Sequence, residues 1–528
     1  MPDITAPVSC STALAALWRD AQLPVDALAQ LQLLGECGAA VLPSSFCVAT
    51  AAQASQGAAA LAAAELWHLR HPSAARLPVQ LDRTRATLDC TAYFSIDGWV
   101  PPAWDPLSGL YPCGADLPGA ANLSPSAALA GSTNLPAGAA LAGNAGGWVR
   151  IHANFAHHRD GVLRLLGLPI GPATPREAVA QALRGWAALD FEQAAADAGL
   201  VVAALRSQAE WDAHPQAAAV AAQPLVAIDR IGPIGSAQIS RVQVGLGQPA
   251  TPPLPWPACS ADQPPLHGLR VLDLTRILAG PVAGRLLAAF GAEVLLVNAP
   301  HLPNIAAIAD TSRGKRSCLI DLRQPAQRAQ FNQLVDGCQV LLQGYRPGAL
   351  AGHGYSAEAL AQRRPGIVVA ELSAYGWAGP WAGRRGFDSL VQTATGFNLA
   401  EAAAAGSSTP QAMPAQILDY SAGHLLAFGI QAALLRQASQ GGSWRVRVSL
   451  AGVGLWLRSL GRQPDGLAAQ RPDITPLLQD SPSGFGHGGK PGLLRAVRPA
   501  ARFPTLPAHT ALPSMPPGSH PPQWLAPG

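Results

Sequence analysis

Residues 267–460 of this 528-residue chain predict an α/β fold with an open parallel sheet, Rossmann-like in outline. Two observations carry that expectation. Strand, glycine turn, helix and second strand follow one another within about 30 residues of His267. Apolar runs of strand length then keep alternating with helical stretches as far as Leu372. A third observation marks a site. The run Gln416-Ile417-Leu418-Asp419-Tyr420-Ser421-Ala422-Gly423-His424 holds one carboxylate among small and apolar residues, and the nearest acids are Glu401 and Asp465.

The elements follow in order. His267 to Arg276 reads as a short buried strand, and Ile277-Leu278-Ala279-Gly280-Pro281 as a Gly/Pro turn. Val282 to Phe290 is a small-residue helix, and Gly291 to Val297 a second strand. No GxGxxG follows the first strand, which argues against dinucleotide binding. Val340-Leu341-Leu342 is a strand, Ala357 to Arg363 a helix and Gly366 to Leu372 a strand. Gly423 and the run Leu425 to Leu435 open a buried helix. On residue type alone, Asp419 at that helix start is either an N-cap or a nucleophile.

These motifs resemble the class III coenzyme A transferases, the group that also holds the α-methylacyl-CoA racemases. The likeness begins at Asp273-Leu274-Thr275-Arg276-Ile277-Leu278-Ala279-Gly280-Pro281, Phe290-Gly291-Ala292-Glu293-Val294 and Gly314-Lys315-Arg316-Ser317 with Asp321-Leu322. It continues through Tyr345-Arg346-Pro347-Gly348, Ser373 to Pro380 and Arg385-Gly386-Phe387-Asp388-Ser389 to Gly442-Ser443-Trp444-Arg445-Val446. The resemblance implies that Asp419, followed four residues later by Gly423, is the catalytic residue. It implies acyl-CoA and a small carboxylic acid as substrates, with no tightly bound cofactor and no metal. A carboxylate attacking a thioester gives a mixed anhydride and CoA thiolate. The returning thiolate gives an aspartyl–CoA thioester, onto which an acceptor acid is loaded. Gly396 or the Gly484–Gly489 stretch is a source of backbone donors for the oxyanion.

Leu278, Ala279, Lys315, Arg316, Arg323, Tyr345, Arg346 and Arg385 are the candidate CoA contacts, with Arg276 a further phosphate candidate. Three departures from the family pattern weaken this half. Leu296 and Asn298 stand where the family carries Lys and Glu, and Gln343-Gly344-Tyr345 replaces a Glu-Asn-Phe phrase. An eroded CoA-binding pseudoenzyme is therefore the alternative. A racemase is the lesser one, because Phe387 stands where racemases carry His. His424 is expected to be a core residue.

The first half also resembles the family, as a smaller α/β domain. Ala58 to Trp67 and Pro78 to Asp82 mirror Ala427 to Leu435 and Arg445 to Val448 at a separation of about 366 residues. That register places Gln53 opposite Asp419, so the first copy lacks a nucleophile. Gly147 to Phe155 and Trp186 to Glu192 read as small-domain segments. The spacing of His152, His157 and His158 is poor for a metal, and Glu210, Asp212 and His214 read as a turn and helix start. The expected organisation has an incomplete first copy at 1–112 and 148–246, interrupted by a low-complexity insertion at 113–147. A Pro-rich linker at 247–266 leads to the large domain at 267–460 and a loop-rich, Pro/Gly-rich segment at 461–528. Two complementary copies predict either a monomer with an internal pseudo-dimer or a homodimer.

Composition excludes some classes. A net charge of +4 is no nucleic-acid signature. No 18-residue apolar span is convincing, and Met1 to Thr5 carries no signal-peptide pattern. Eight cysteines without a CxxC pair suit a reducing cytosol, so a cytoplasmic enzyme is expected.

Overall fold

A computed structural model describes residues 6–35, 38–116, 146–232, 257, 259–507, 509 and 512–526. Most of the expected insertion and linker lies outside the described residues. Seven strands form the central sheet, in the order Lys315–Leu319, Glu293–Asn298, Arg270–Asp273, Val340–Gln343, Val368–Ser373, Trp444–Ser449, Ala227–Arg230. The first six run parallel. The last is antiparallel and comes from the first half of the chain. Runs such as Val271-Leu272, Val294-Leu295-Leu296-Val297 and Val340-Leu341-Leu342 are buried on both faces, as a covered parallel sheet requires. Strand order reverses between Arg270–Asp273 and Val340–Gln343, and α/β sheets characteristically open a crevice at such a point.

The 24-residue helix Ile417–Gln440 runs through the centre, apolar on nearly every side, so it cannot lie at a surface. Its main neighbour is the 23-residue helix Val48–Arg70 of the first half. Ala and Gly let the two approach closely. Ser55 Oγ lies 3.4 Å from His424 Nδ1 across the contact, and Trp18 stacks on Phe428 with ring centroids 5.9 Å apart.

The segments read as a repeat in the sequence share an order of elements. Helix Val48–Arg70, strand Val79–Asp82 and helix Arg83–Asp89 follow the same order as Ile417–Gln440, Trp444–Ser449 and Leu450–Ser459. A single register does not fit both parts. The helices start 369 residues apart (Val48 and Ile417), whereas the strands start 365 apart (Val79 and Trp444). The connection 71–78 is longer than its counterpart 441–443, which accounts for the slip. Counted from the helix starts, Thr50 and not Gln53 is the counterpart of Asp419, and Ser55 the counterpart of the His424 it touches.

A smaller antiparallel sheet, Gly109–Cys113, Gly147–Ile151 and Val202–Ala204, carries helices Ala156–Leu165, Arg176–Leu183 and Ala188–Asp197 over its own core of Tyr111, Val149, Leu163 and Phe191. The C-terminal segment is more ordered than its Pro/Gly content predicts. Leu478–Ser483 and Gly492–Val497 form a hairpin, and Phe94–Ile96 adds a third strand. Its far end covers the sheet edge. His520 donates its N–H to Ser317 O and accepts from Ser317 N–H at Nδ1, and Trp524 Nε1 donates to Leu334 O at 3.0 Å.

One buried carboxylate pins the halves together. Glu401 accepts from the hydroxyls of Ser44 and Ser45 and from the Ser45 N–H, at 2.9 Å and 3.1 Å for the two Ser45 bonds. Glu401→Ala strands these three donors and is expected to cost about 3 kcal/mol or more, whereas Glu401→Gln keeps part of the set and costs less. Urea unfolding of the two variants checks the order.

Candidate active site

The turn after the first sheet strand is strained. Ile277 sits at φ 76°, a left-handed conformation that a β-branched residue adopts only when its surroundings force it. Leu278 and Ala279 follow, both buried, and Ala279 begins the helix Ala279–Ala289. The Asp419 helix packs directly on this turn. A Cβ placed on Gly423 would stand 2.4 Å from Ala279 O and 2.9 Å from Val282, so only glycine lets the backbones approach this closely. The turn thus packs on the Asp419 helix at Gly423, four residues beyond Asp419.

Asp419 is the third residue of its helix, which removes the N-cap alternative. The capping is done by another carboxylate, Asp388, at the start of helix Asp388–Ala394. Asp388 Oδ2 accepts the Asp419 N–H at 2.9 Å, and Oδ1 accepts from Gln392. Both acids are buried. Burial is the largest cause in pushing Asp388 up to about 6, opposed by the Asp419 N–H and Gln392. Burial first, then the charge of Asp388, pushes Asp419 well above the usual carboxylate range. Two like carboxylates in one apolar pocket titrate as a pair. The helix N-terminus counts the other way and favours the ionised form.

Asp388 went unrecognised in the sequence, where it appeared only as part of a matching phrase. His424 faces the helix Val48–Arg70 as a core residue, its imidazole pushed down to about 3 by burial. Gly396, at φ 90°, is used for packing, since a Cβ there would stand 2.4 Å from the Gln208 amide. The Gly484 amide donates to Ser514 O.

The charged candidates separate into two groups, and one needs correcting. Lys315 is wholly buried, with Nζ 2.8 Å from both Asp273 Oδ2 and Pro281 O. Its ammonium holds the strand to the helix start and is not presented to a ligand. Burial pushes its pKa down while Asp273 opposes the shift. Arg316 is buried as well and donates to Gln523 O of the C-terminal segment. The others lie at or near the surface. Arg346 is exposed, Arg385 donates to Gly199 O at 2.7 Å, and Arg276 donates to Pro303 O. Arg323 chelates Asp321 through Nε and Nη2. Arg323 and Tyr345 line a cleft of about 220 Å³ with Leu274, Val297, Ile320 and His353. This cleft lies at the carboxyl ends of the strands and spans the point where strand order reverses. Leu296 and Asn298 are buried in their strand.

Phe387, adjacent to Asp388, lies against the smaller domain. The His152 ring stacks on it at 4.0 Å with planes 20° apart. Glu210 completes a capping box with Ser207, and His214 caps the next helix through Nδ1, as a turn and helix start.

Residues 266–468 match the model of CoA-transferase family III. It is similar to a probable fatty acyl-CoA transferase of Mycobacterium tuberculosis, 34% identical over 228 residues, 40% of this chain and 57% of the relative. It is also similar to the alpha subunit of the succinyl-CoA–L-malate CoA-transferase of Chloroflexus aurantiacus, 33% identical over 39% of this chain and 50% of the relative. A solved structure of a hypothetical protein from M. tuberculosis is 34% identical over 37% of this chain and 58% of that one, with a TM-score of 0.34. The chain spans about half the length of the curated relatives it matches.

Two outcomes are expected. Gly423→Val forces the two backbones apart and is expected to lose at least about 3 kcal/mol, seen as a lowered urea midpoint. The pH expectation follows from the sign of the Asp388 shift. Its folded value exceeds its unfolded value, so the folded state binds more protons and stability falls as pH rises from about 4 to 6. Asp388→Asn flattens that slope, read from urea unfolding at several pH values.

Proposed function

We propose that this chain moves CoA between an acyl-CoA and a free carboxylic acid, with Asp419 as nucleophile. The observation that carries the reading is the Asp419 carboxylate itself, buried in the first turn of a long helix that is fixed through its backbone by Asp388 and packs at Gly423 on the Ile277–Ala279 turn. The match of residues 266–468 to CoA-transferase family III supports CoA transfer as the reaction type.

Asp419 attacks the thioester carbonyl, the C–S bond breaks, and a mixed anhydride and CoA thiolate result. The thiolate attacks the aspartyl carbonyl, releases the donor acid as carboxylate and leaves an aspartyl–CoA thioester. The acceptor carboxylate attacks that thioester, and the expelled thiolate then takes the acyl group and frees Asp419. A poorly solvated carboxylate is a stronger nucleophile than one in water, and burial of the pair supplies that state once a proton has left. Arg323 and Tyr345 lie in the cleft we assign to the nucleotide end of CoA, while Leu278 and Ala279 lie near the reacting carbonyl. Arg346 and Arg385 supply positive charge between them. Contacts between the halves support a site completed within one chain.

The test is intact-protein mass spectrometry after mixing with a panel of acyl-CoAs, before and after hydroxylamine. An adduct that hydroxylamine removes, absent from Asp419→Ala, is the expected result. Adduct formation is also expected to quicken as pH rises through the titration of the acid pair. Asp388→Asn, which removes the like charge, shifts that limb to lower pH. The second reading is a CoA-binding protein without turnover, favoured by the burial of Lys315 in an internal ion pair. A folded protein that binds acyl-CoA yet gives no adduct with any donor decides for it.

A further inference from the structure

The other buried arginines have evident partners: Arg285 pairs with Asp89 and Asp310, Arg206 with Glu192, Arg316 with Gln523 O and Glu293, and Arg83 donates to Gln53 Oε1 and Ala39 O. Arg150 differs. It lies in the middle strand of the smaller sheet, 8% exposed, and no carboxylate among the described residues comes within ion-pair distance. Its Nε has no hydrogen-bond partner among the described residues, and its guanidinium sits 5.2 Å from the Trp104 ring centroid.

Arg150 is accompanied by two more unsatisfied groups. His152 and His158, 4% and 5% exposed, both leave Nδ1 without a partner. Their rings lie 6.4 Å apart, and His152 stacks on Phe387. The acid whose charge acts on Arg150 is Asp388, the residue that fixes Asp419. Asp388 spends its own oxygens on the Asp419 N–H and on Gln392. A buried guanidinium left without a counter-ion is costly, as are buried ring nitrogens without partners. The cluster is not sealed, because Trp104 is 37% exposed and Phe387 only partly buried.

We propose that Arg150, with the neutral imidazole of His152 beside it, anchors a second carboxylate on the acid that exchanges CoA, so that the site selects dicarboxylic over monocarboxylic acids. A remote carboxylate suits the placement better than the reacting one. Arg150 forms no ion pair with Asp419 or Asp388, so it stands back from the reacting oxygen, and a guanidinium clamped on the reacting carboxylate would blunt its attack. A planar fork of donors matches a carboxylate, and the imidazole offers one further hydrogen bond. This inference rests on the transferase reading of Asp419 and assigns the substrate-selecting group of the same site.

The experiment uses the full chain and its Arg150→Met and Arg150→Gln variants. With one acyl-CoA donor, KM and kcat are measured for succinate and glutarate as acceptors and for butyrate and valerate. Arg150→Met is expected to raise KM for the diacids roughly 10- to 100-fold. The monoacids and the formation of the Asp419 adduct from a monoacyl-CoA should hardly change. His152→Ala, which keeps the arginine, should show the same direction more weakly. Equal losses for both acid classes, or a raised KM for the acyl-CoA alone, overturn the proposal, the latter assigning Arg150 to a CoA phosphate. If the wild type forms no adduct, the transferase reading fails by itself. Calorimetric binding of glutarate to wild type but not to the variants then upholds the anchor, and absent or equal binding overturns it. Should Arg150→Met not fold, Arg150→Gln carries the same comparison.

Discussion

The close approach of three helix segments is the constraint on which the site depends. Ile417–Gln440 lies against Val48–Arg70 on one side and against the start of Ala279–Ala289 on another. Alanine and glycine make both contacts possible. Ala51, Ala54, Ala58 and Ala62 are buried in the first helix, and Gly423 meets the Ala279 carbonyl where any side chain would collide. Close-packed interiors do not deform continuously. A shift at Gly423 would therefore move Asp419, one turn away on the same helix, relative to the strained turn that Gly423 meets.

The electrostatics of the site follow from that packing. Bringing the helix start into an apolar interior buries its first amides, which need acceptors. Asp388 provides one, and in doing so places a second carboxylate beside Asp419. Capping alone would be served by a neutral Asn or Ser. An acid instead couples the two titrations, and its charge adds to burial in raising Asp419. Lys315 and Asp273 show the opposite solution to burial on the far side of the same turn, where a full ion pair adds the Pro281 carbonyl and leaves no charge to spare.

What was legible in the sequence was local. The strands at 270–273, 293–298, 340–343 and 368–373 and the helix Ala357–Arg363 fall within a few residues of the runs that predicted them, because apolar runs and Gly/Pro turns encode such elements directly. Asp419 stood out because nothing charged surrounds it. The illegible features are contacts across long separations. Asp388 and Asp419 are 31 residues apart, Lys315 and Asp273 are 42 apart, and His152 meets Phe387 across the two halves. No periodicity predicts such meetings. Residues 478–497 were also hidden. Their prolines and glycines signal loop, and the hairpin they form is completed by a strand from 94–96.

The two helix–strand–helix runs present two comparable buried helix starts, and either could hold a carboxylate. Here the third residue of one helix is Asp419 and that of the other is Thr50. The nearby Gln53, buried like Asp419, has its amide engaged instead. Its Oε1 accepts from Arg83 at 3.1 Å, and Nε2 lies 3.5 Å from the carbonyls of Leu34 and Leu81. The first copy thus meets the demands of a buried helix start with neutral groups and an internal arginine. A second buried carboxylate there would need both a capping acid and an open approach, and the Arg83 contacts with Gln53 and Ala39 O occupy that space. The asymmetry concentrates the acid pair in the second half, and the first half supplies the helix against which that pair is held.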